Sequence, residues 1–367
     1  MDKARHVLGI SGGKDSAALA IYLKNNYPQL EIDYYSSDTG KELDETYKLI
    51  DNLQIYLEKK ITIIKGAEGS PLNSFDHFLK IYGGYLPSTQ ARWCTKKLKL
   101  EPFEKYVGVK PVISYVGIRG DEDREGYISR KNNIQSIFPF RRNIWSEDVI
   151  EKFLNNTNID KIISLTEQVD LGSRKERIVQ LLSKKIDIAN TQPYKLGQLL
   201  NEGVKEINYL VFEFLKGTNY PLSSESSFPL LENEDVIIRD DVFRILEESG
   251  VGVPEYYKKV SYTVGDKTGT YSRSRSGCFF CFYQQKIEWI WLYEQHRELF
   301  DKALEYEKDG YTWNQEESLA QLIEPRRMQQ IKEDFIKRQE KALAVKSPYL
   351  LDILDDEEDA GCASCFI

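Results

Sequence analysis

Apolar runs and helical periods alternate along the first part of the chain. Val7-Leu8-Gly9-Ile10 is a short apolar run typical of a buried strand, and a glycine turn joins it to a helical pattern over 17–23. Further strands are predicted at 32–35, 61–64 and 112–116, with a helix at about 43–57. This alternation predicts an α/β fold with a doubly wound, mostly parallel sheet, whose ligand site lies at the carboxyl ends of the strands.

The pattern changes after about residue 145. Polar helical periodicity with asparagine-rich joins continues to about residue 227 and predicts an inserted helical subdomain, before strand signals return at 228–230 and helix signals at 241–246. The C-terminal region reads as helical and ends in an acidic run. We therefore expect a nucleotide-binding α/β domain at 1–145, the inserted helices at 146–227, a continuation of the core at 228–290, a helical region at 291–350 and a flexible acidic tail at 351–367.

Composition narrows the class of protein. A chain of 367 residues with 41% hydrophobic content can bury a substantial core. No apolar run approaches the roughly 18 residues of a membrane span, the first residues do not read as a signal sequence, and five cysteines are too few for a disulfide scaffold, so we expect a cytoplasmic protein without a membrane partner. Because the net charge is −8, contact with DNA would need a local basic patch or a partner protein.

The segment Ser11-Gly12-Gly13-Lys14-Asp15-Ser16 joins the first strand to the first helix. Such a turn directs backbone N–H groups and the positive end of a helix dipole at one point, which favours an anion. Its adjacent glycines differ from the Walker spacing and resemble the PP-loop ATP pyrophosphatases, which bind the β,γ-pyrophosphate of ATP while a nucleophile attacks the α-phosphorus. In that interpretation Gly12 and Gly13 let the backbone approach the phosphates, and the hydroxyls of Ser11 and Ser16 donate hydrogen bonds. Lys14 offers positive charge to the pyrophosphate, and Asp15 ligates Mg²⁺. The alternative is an ordinary glycine turn with a solvated Lys-Asp pair.

Other candidates follow the later strands. Asp38 and Thr39 come after the second strand, where the base and ribose of a nucleotide would lie, although Asp-Thr-Gly is also ordinary turn chemistry. Gly117 and Arg119 come after the strand at 112–116. Arg119 either stabilises charge at the α-phosphate or only pairs with Asp121 or Glu122.

Cysteine forms a second group of candidates. Cys278 and Cys281 form a Cys-x-x-Cys pair, and Cys94 lies in a basic segment. Zinc, an iron-sulfur cluster, a redox disulfide and two buried small hydrophobes all fit the spacing. The basic residues nearby either form a path for a phosphate backbone or are a chance result of charged helices; they are Arg92, Lys96, Lys97, Lys99, Arg141, Arg142, Arg273 and Arg275.

Several motifs together resemble the PAPS-reductase superfamily: Arg-Trp-Cys94-Thr-x-x-Leu-Lys, Gly117-Ile-Arg119, Pro-x-Tyr256-Tyr, and Arg-Ser-Gly-Cys278-x-x-Cys281. Within it the chain is similar to the sulfur-inserting ATP pyrophosphatases of DNA phosphorothioation, of the DndC and SspD type. The motifs span residues 6 to about 300, and 146–225 and the tail are unmatched. The resemblance implies that Cys94, Cys278 and Cys281 hold a [4Fe-4S] cluster. Our hypothesis is that three ligands leave one iron open to bind hydrosulfide. The alternatives are that Cys362 or Cys365 is the fourth ligand or carries persulfide, or that both lie in a disordered acidic end.

The resemblance therefore predicts an enzyme that uses ATP and Mg²⁺ to adenylate a nucleic acid, most simply a DNA backbone phosphate, before sulfur replaces oxygen. Lys14, Asp15 and Arg119 are the expected catalytic residues, and a cysteine desulfurase is the implied sulfur donor. Three alternatives stay open: a tRNA-thiolating enzyme of the same chemistry, a thiol-dependent reductase of a sulfonucleotide, and a nucleotide-binding module with structural zinc.

Overall fold

A computed structural model describes residues 3–122, 128–129, 131–308 and 310–344. Over these ranges the main sheet has five strands in the order β3-β2-β1-β4-β5, and every neighbouring pair is parallel. Its strands are β1 (Arg5–Gly9), β2 (Ile32–Asp38), β3 (Ile61–Lys65), β4 (Val112–Tyr115) and β5 (Ile134–Ile137). The predicted parallel α/β sheet is confirmed, and β5 is a strand that the sequence pattern did not reveal.

Helices surround the sheet and continue to the end of the described chain. The first helices are α1 (Lys14–Asn26), α2 (Asp44–Leu57), α3 (Ser74–Ile81), α4 (Trp93–Thr95), a π-helical turn (Lys96–Leu100) and α5 (Glu101–Val107). The inserted segment contains α6 (Glu147–Leu154), α7 (Ile159–Leu165), α8 (Lys175–Ser183), α9 (Gln192–Glu202) and α10 (Val204–Lys216). The remaining helices are α11 (Arg239–Glu248), α12 (Lys286–Gln295), α13 (Arg297–Glu305), α14 (Leu319–Leu322) and α15 (Pro325–Ala344).

The two faces of the sheet bury different residues. On β1, Leu8 packs in the large core with the apolar residues of α1 and α2, whereas Val7 joins Phe103 and Val107 of α5 on the other side. Successive side chains of a strand point to opposite faces, so a strand covered on both sides is apolar almost throughout. The doubly wound arrangement explains why β1 carries a continuous apolar run.

The inserted helices share the core of the parallel-sheet domain. Phe153 of α6 and Leu210 of α10 belong to the same buried cluster as Leu19 of α1 and Val242 of α11. The predicted helical segment is therefore present, and it packs against the sheet domain through one continuous apolar core.

A second core lies at the carboxyl ends of the strands. It joins Phe75 of α3 and Trp93 of α4 to Trp289 of α12, Phe280 of the Cys-x-x-Cys loop and Tyr262 of an antiparallel hairpin. The hairpin strands are β6 (Val260–Val264) and β7 (Lys267–Tyr271). This core fixes the Cys-x-x-Cys loop over the edge of the sheet at which the glycine loop lies.

One local expectation was wrong. Residues 228–230 do not form a strand, because Pro229–Glu232 is a 3-10 turn that begins at proline. Proline has a fixed φ and no N–H, which suits the first turn of a helix better than a sheet. Among the described helices, none is both long enough and apolar enough to span a membrane.

Candidate active site

The glycine loop is closely packed by neighbouring segments. Gly12 has a φ of 73°, and a Cβ at this position would lie 2.1 Å from Cγ2 of Thr46 on α2. A Cβ on Gly13 would lie 2.5 Å from Oγ of Ser276, in the Cys-x-x-Cys loop. Both positions therefore need glycine, the first for its backbone conformation and the second for a close approach.

Hydroxyl groups hold the turn in shape. Oγ of Ser11 and Oγ of Ser16 lie 3.1 Å apart, and Ser11 Oγ also accepts from the N–H of Gly13 at 3.3 Å. Ser16 Oγ accepts from the N–H of Ser11 at 3.2 Å. Gly13 is the N-cap of α1 and makes no side-chain capping bond, so the start of this helix lies within the loop.

Three ionic side chains of the predicted site form one buried network. Asp15 Oδ1 accepts from Nη1 of Arg119 at 3.0 Å, and its Oδ2 lies 3.6 Å from Nζ of Lys14. Arg119 also pairs with Asp121 at 2.9 Å and with Glu122 at 2.7 Å. The structure thus contains the pairing that was the alternative for Arg119, and in addition links Arg119 to the glycine loop.

The pKa of Arg119 reflects this network. Burial alone would lower it, but the nearby carboxylates of Asp15, Glu122 and Asp121 raise it above the ordinary value. Arg119 therefore remains a permanent cation beside the loop.

Gly117 brings the end of β4 against α1. A Cβ at Gly117 would lie 2.9 Å from the carbonyl oxygen of Asp15, a backbone atom that cannot rotate away. The predicted role of Gly117 in nucleotide binding is thus accompanied by a packing role, because glycine lets Arg119 approach the first turn of α1.

A cleft with about 750 Å³ of empty space, part of it open to solvent, lies between the glycine loop, β2 and α2. Ser11, Asp38, Glu42 and Tyr47 are among its lining residues. Asp38 Oδ1 accepts from the hydroxyl of Tyr47 at 3.0 Å and from the N–H of Gly40 at 2.8 Å. Asp38 therefore lies at the end of β2, as the prediction of a nucleotide-binding residue requires, and these hydrogen bonds fix its carboxylate.

The three cysteines of the resemblance line one cavity. Cys94, Cys278 and Cys281 line about 530 Å³ of empty space, much of it open to solvent, together with Lys99 and Tyr283; we call this the thiol cavity. Thr39 lines this cavity and does not line the cleft beside the glycine loop: its hydroxyl donates to Glu42 at 2.6 Å and lies 3.2 Å from Sγ of Cys278.

The loop that carries the thiols is joined to the glycine loop by a chain of hydrogen bonds. Nη2 of Arg273 donates to the carbonyl of Cys278 at 3.0 Å, and the N–H of Arg273 donates to the carbonyl of Tyr256 at 2.8 Å. The hydroxyl of Tyr256 then donates to the carbonyl of Gly12 at 3.0 Å. Nζ of Lys14 also lies 3.5 Å from the carbonyl of Ser274. The two loops are thus parts of one packed unit.

The thiols lie in surroundings that disfavour free thiolates. Burial raises the pKa of Cys278, and the carboxylate of Glu42 raises it further. Burial also raises the pKa of Cys281, opposed by a backbone hydrogen bond from Tyr283 and by the charge of Arg273. Ligation to a metal would displace these protons.

Two buried polar groups next to the Cys-x-x-Cys turn lack partners in the described part of the chain. They are Nε and Nη1 of Arg273, which is 2% exposed, and both amide atoms of the Gln284 side chain. Unpaired buried donors are costly, and iron-sulfur clusters accept hydrogen bonds and carry negative charge. These residues fit such a cluster. No set of three or more His, Cys, Asp or Glu side chains within the described ranges is arranged to hold a single metal ion, and a cluster does not require its ligands to converge on one point.

Some predicted residues lie elsewhere. Arg141 pairs with Glu147 and donates to the carbonyl of Glu122, and Arg142 donates to the carbonyl of Leu200; neither lines the thiol cavity. Cys362 and Cys365 lie outside the described residues.

The sequence did not single out several residues that join the two loops. Glu42 lines the cleft beside the glycine loop, and its carboxylate also accepts a hydrogen bond from Thr39 in the thiol cavity. Ser276 contacts the glycine loop, and Gln284 follows the second cysteine of the pair. Their only sequence signal is nearness to a motif, because neither Glu, Ser nor Gln is distinctive alone.

Comparison with known proteins bears on the first half of the chain. A family model described as the phosphoadenosine phosphosulfate (PAPS) reductase domain matches residues 5–168. An uncharacterized protein of Methanocaldococcus jannaschii is 31% identical over 145 residues, which cover 36% of this chain and 28% of that protein. A second uncharacterized protein of the same organism is 25% identical over 210 residues, covering 52% of this chain and 49% of that protein. The chain thus matches about half or less of the length of these relatives.

A crystal structure of PAPS reductase from Candida auris, a phosphate complex, overlaps 39% of this chain and 66% of its own at 20% identity, with a TM-score of 0.29. This overlap is too limited to bear on substrate. The family match, in contrast, includes the glycine loop, Cys94 and Arg119. Residues 5–168 are therefore similar to the PAPS reductase domain, and this similarity supports the PAPS-reductase superfamily.

Proposed function

We propose that the protein is a PP-loop ATP pyrophosphatase that adenylates a nucleic acid, with a DNA backbone phosphate as the preferred acceptor, so that sulfur can replace oxygen. The acceptor oxygen forms a bond to the α-phosphorus of ATP, and the bond from that phosphorus to the β-phosphate bridge breaks, which releases pyrophosphate. A sulfur nucleophile then displaces AMP. We propose a cysteine desulfurase as the source of that sulfur, with a thiol as the two-electron reductant: the thiol becomes a disulfide as the persulfide sulfur is released at the sulfide level.

The glycine loop and its ionic network supply the residues for the first step. Gly12 and Gly13 shape the turn at the start of α1, whose backbone N–H groups would bind phosphate oxygens, and Lys14 is held beside this turn by Asp15 and Ser274. Arg119 would neutralise charge that develops at the α-phosphate, and Asp15 would ligate Mg²⁺. Most of the rate enhancement would come from positioning and charge neutralisation.

Cys94, Cys278 and Cys281 would hold an iron-sulfur cluster in the thiol cavity. A cluster with three protein ligands supplies an iron that can bind sulfur. Arg273 offers unpaired buried donors beside these ligands, which suits a group with negative charge.

One observation carries the proposal. Ser276, which lines the thiol cavity, lies so close to Gly13 that an added Cβ would be 2.5 Å from its hydroxyl. A chemical path from ATP to sulfur requires this proximity, since the activated acceptor must reach both.

Two variants separate the activities. In protein prepared without oxygen, we expect iron with visible absorption, and pyrophosphate release from ATP that a nucleic-acid acceptor stimulates. Asp15→Ala should abolish pyrophosphate release and retain the iron, whereas Cys278→Ser should lose iron and retain acceptor-independent release. Asp266→Ala, at an exposed residue in the β6–β7 turn, is the matched control for an aspartate change. Stoichiometric zinc in a colourless protein without ATP turnover would contradict the proposal.

The same assay with different acceptors distinguishes DNA modification from tRNA modification. Pyrophosphate release that rises with tRNA and not with DNA would assign the same chemistry to tRNA thiolation.

A second candidate is a thiol-dependent reductase of a sulfonucleotide. The match of residues 5–168 to the PAPS reductase domain favours it. This activity would release sulfite from PAPS or its 3′-dephosphorylated analogue without consuming ATP, so one assay for sulfite and one for pyrophosphate distinguish the two.

A further inference from the structure

Two adjacent tyrosines of the Pro-x-Tyr-Tyr motif reach the glycine loop. They lie in a 3-10 turn (Glu255–Tyr257) that follows α11 in the chain, and the ring centroids of Tyr256 and Tyr257 lie 4.6 Å apart. The hydroxyl of Tyr256 donates to the carbonyl of Gly12, whereas the hydroxyl of Tyr257 accepts from the backbone N–H of Lys14 at 3.4 Å. Each tyrosine of the motif thus has its own partner in the glycine loop.

The ring of Tyr257 also contacts the ammonium of Lys14. Nζ of Lys14 lies 4.9 Å from the ring centroid, and the lysine is only 4% exposed. A cation over an aromatic face is attracted by the ring quadrupole, and this attraction is stronger where the cation is removed from water. The Tyr257 ring in turn packs edge-to-face with Phe243 of α11, a helix that packs against α1. The ring is therefore supported by the same helices that form the loop's surroundings.

Two polar groups complete the surroundings of this ammonium. Oδ2 of Asp15 lies 3.6 Å from Nζ of Lys14, and the carbonyl of Ser274 lies 3.5 Å from it. Ser274 is itself held by buried Glu288, whose Oε1 accepts from the serine N–H at 2.7 Å and from its hydroxyl at 2.8 Å.

Both polar contacts of Nζ are long for hydrogen bonds from an ammonium, which has three N–H donors. An aromatic face stabilises the positive charge without accepting a strong hydrogen bond from it. The surroundings of Lys14 therefore fix the position of a buried cation and leave it the capacity to form short bonds with an anion.

We infer that Tyr257 is a positioning residue, whose ring holds the ammonium of Lys14 for the terminal phosphates of a nucleoside triphosphate. The inference rests on the proposed function, because it assigns Lys14 to the pyrophosphate part of ATP. It adds that a ring 243 positions away in the chain controls the affinity for those phosphates. Tyr257 acts through Lys14 and does not change the binding of the nucleoside part.

Calorimetric titration with ATP and with AMP tests this without turnover. Tyr257→Leu should weaken ATP binding about tenfold, because the ring face beside the buried cation is lost. The same variant should bind AMP like the wild type, because AMP lacks the phosphates that Lys14 contacts. Tyr257→Phe keeps the ring and should bind ATP like the wild type.

Tyr293→Leu is the matched control. The ring of Tyr293 also packs edge-to-face with a phenylalanine, Phe300, and also contacts a cation, the Arg297 guanidinium at 4.5 Å. Tyr293 lies on α12 and lines neither the thiol cavity nor the cleft beside the glycine loop. This variant should bind ATP and AMP like the wild type, and a tenfold loss of ATP binding in it would contradict a specific role for Tyr257.

A double-mutant cycle shows whether Tyr257 acts through Lys14. Lys14→Met should itself weaken ATP binding, and adding Tyr257→Leu should cause no further loss, because the cation that the ring holds is gone. A second tenfold loss in the Lys14→Met background would overturn the inference. Thermal unfolding and AMP binding of each variant show whether the fold and the site are intact.

The outcomes separate this inference from the proposed function. A Lys14-dependent loss of ATP binding in Tyr257→Leu, in a protein that releases no pyrophosphate with any acceptor, would uphold the role of Tyr257 and contradict the pyrophosphatase. Acceptor-stimulated pyrophosphate release by the wild type, with equal losses of ATP and AMP binding in Tyr257→Leu, would overturn the role of Tyr257 alone. Weak ATP binding in Tyr257→Phe would likewise overturn the role of the ring, and a wild type that binds no ATP would contradict both proposals.

Discussion

His6 is a buried histidine on β1, the central strand of the sheet. Its side chain is 8% exposed, and Nδ1 lies 2.7 Å from the hydroxyl of Tyr115 on β4. Burial lowers the pKa of His6 from 6.5 to about 4, with a smaller effect from the charge of Lys3. The unfolded chain therefore binds a proton at a pH where the folded chain does not.

The pH dependence of stability follows from this shift. The contribution is complete above the unfolded pKa of 6.5 and is lost as the pH falls toward about 4. We expect the wild type to lose about 2 kcal/mol of unfolding free energy through His6 between pH of about 7.5 and about 5. His6→Gln should lack this part of the loss in urea unfolding at the two pH values. His77→Gln, at a half-buried histidine on α3, is the control, and a full wild-type loss in His6→Gln would contradict the assignment.

Tyr256 tests the hydrogen-bonded link between the two loops. Tyr256→Phe removes the buried hydroxyl that donates to the carbonyl of Gly12, which should cost about 1 kcal/mol of unfolding free energy. Because that carbonyl belongs to the glycine loop, affinity for ATP should also fall. Tyr262→Phe is a matched control: its hydroxyl donates at 3.1 Å to the carbonyl of Lys332, in the second core.

The two variants should lose similar stability and differ in ATP affinity, measured by chemical unfolding and calorimetric titration. The same ATP affinity in both variants would show that the Tyr256 hydroxyl has only a structural role.

At the scale of elements, the contact between β4 and α1 depends on one glycine. Gly117→Ala would place a Cβ 2.9 Å from the carbonyl oxygen of Asp15, so the end of β4 and the first turn of α1 must separate. Such overpacking typically costs about 1 to 3 kcal/mol. Because Arg119 would move away from Asp15 with the strand end, we expect ATP affinity to fall as well.

Gly197→Ala is the matched control on α9. No atom lies within 4 Å of an added Cβ at Gly197, so the variant should be neutral or more stable by up to about 1 kcal/mol because alanine favours a helix. Chemical unfolding of both variants checks the difference. Equal stability of the two variants would contradict the close packing at Gly117.

The elements that the sequence predicted are those whose local pattern matches their environment. β1 and α1 have a continuous apolar run and a glycine turn, and both lie where the pattern placed them. The strand β5 was missed because Ile134-Gln135-Ser136-Ile137 is half polar although all four residues are buried. The side-chain oxygen of Gln135 accepts from the N–H of Leu222, in a distant segment that no local pattern reveals.

At the scale of the whole molecule, the sequence predicted the separate motifs, but it did not predict the contacts between distant segments that bring them together. Motifs identified Cys94, Cys278 and the glycine loop separately, and the parallel sheet predicted a shared edge for the strand ends. The chain of contacts from Cys278 through Arg273 to Tyr256 depends on three-dimensional packing, because a buried arginine looks like a surface arginine in a sequence.

The charge of the tail gives a prediction that belongs to the whole chain. Residues 351–367 lie outside the described structure and carry six acidic and no basic side chains, so their removal changes the formal net charge from −8 to −2. Negative charge on the same chain opposes the approach of an anionic nucleic acid. We expect truncation after residue 350 to strengthen the binding of a single-stranded oligonucleotide on the order of fivefold at low salt, with the gain lost at high salt.

Two full-length variants identify the cause of that gain. A tail in which the acidic run at 355–359 is changed to asparagine and glutamine should bind like the truncated protein. Cys362→Ser combined with Cys365→Ser keeps the charge and should bind like the wild type. If the cysteine variant reproduces the gain and the neutral tail does not, the tail acts through its thiols and the electrostatic explanation is wrong. The comparison needs only binding titrations at two salt concentrations, because screening weakens a charge effect and leaves a thiol effect largely unchanged.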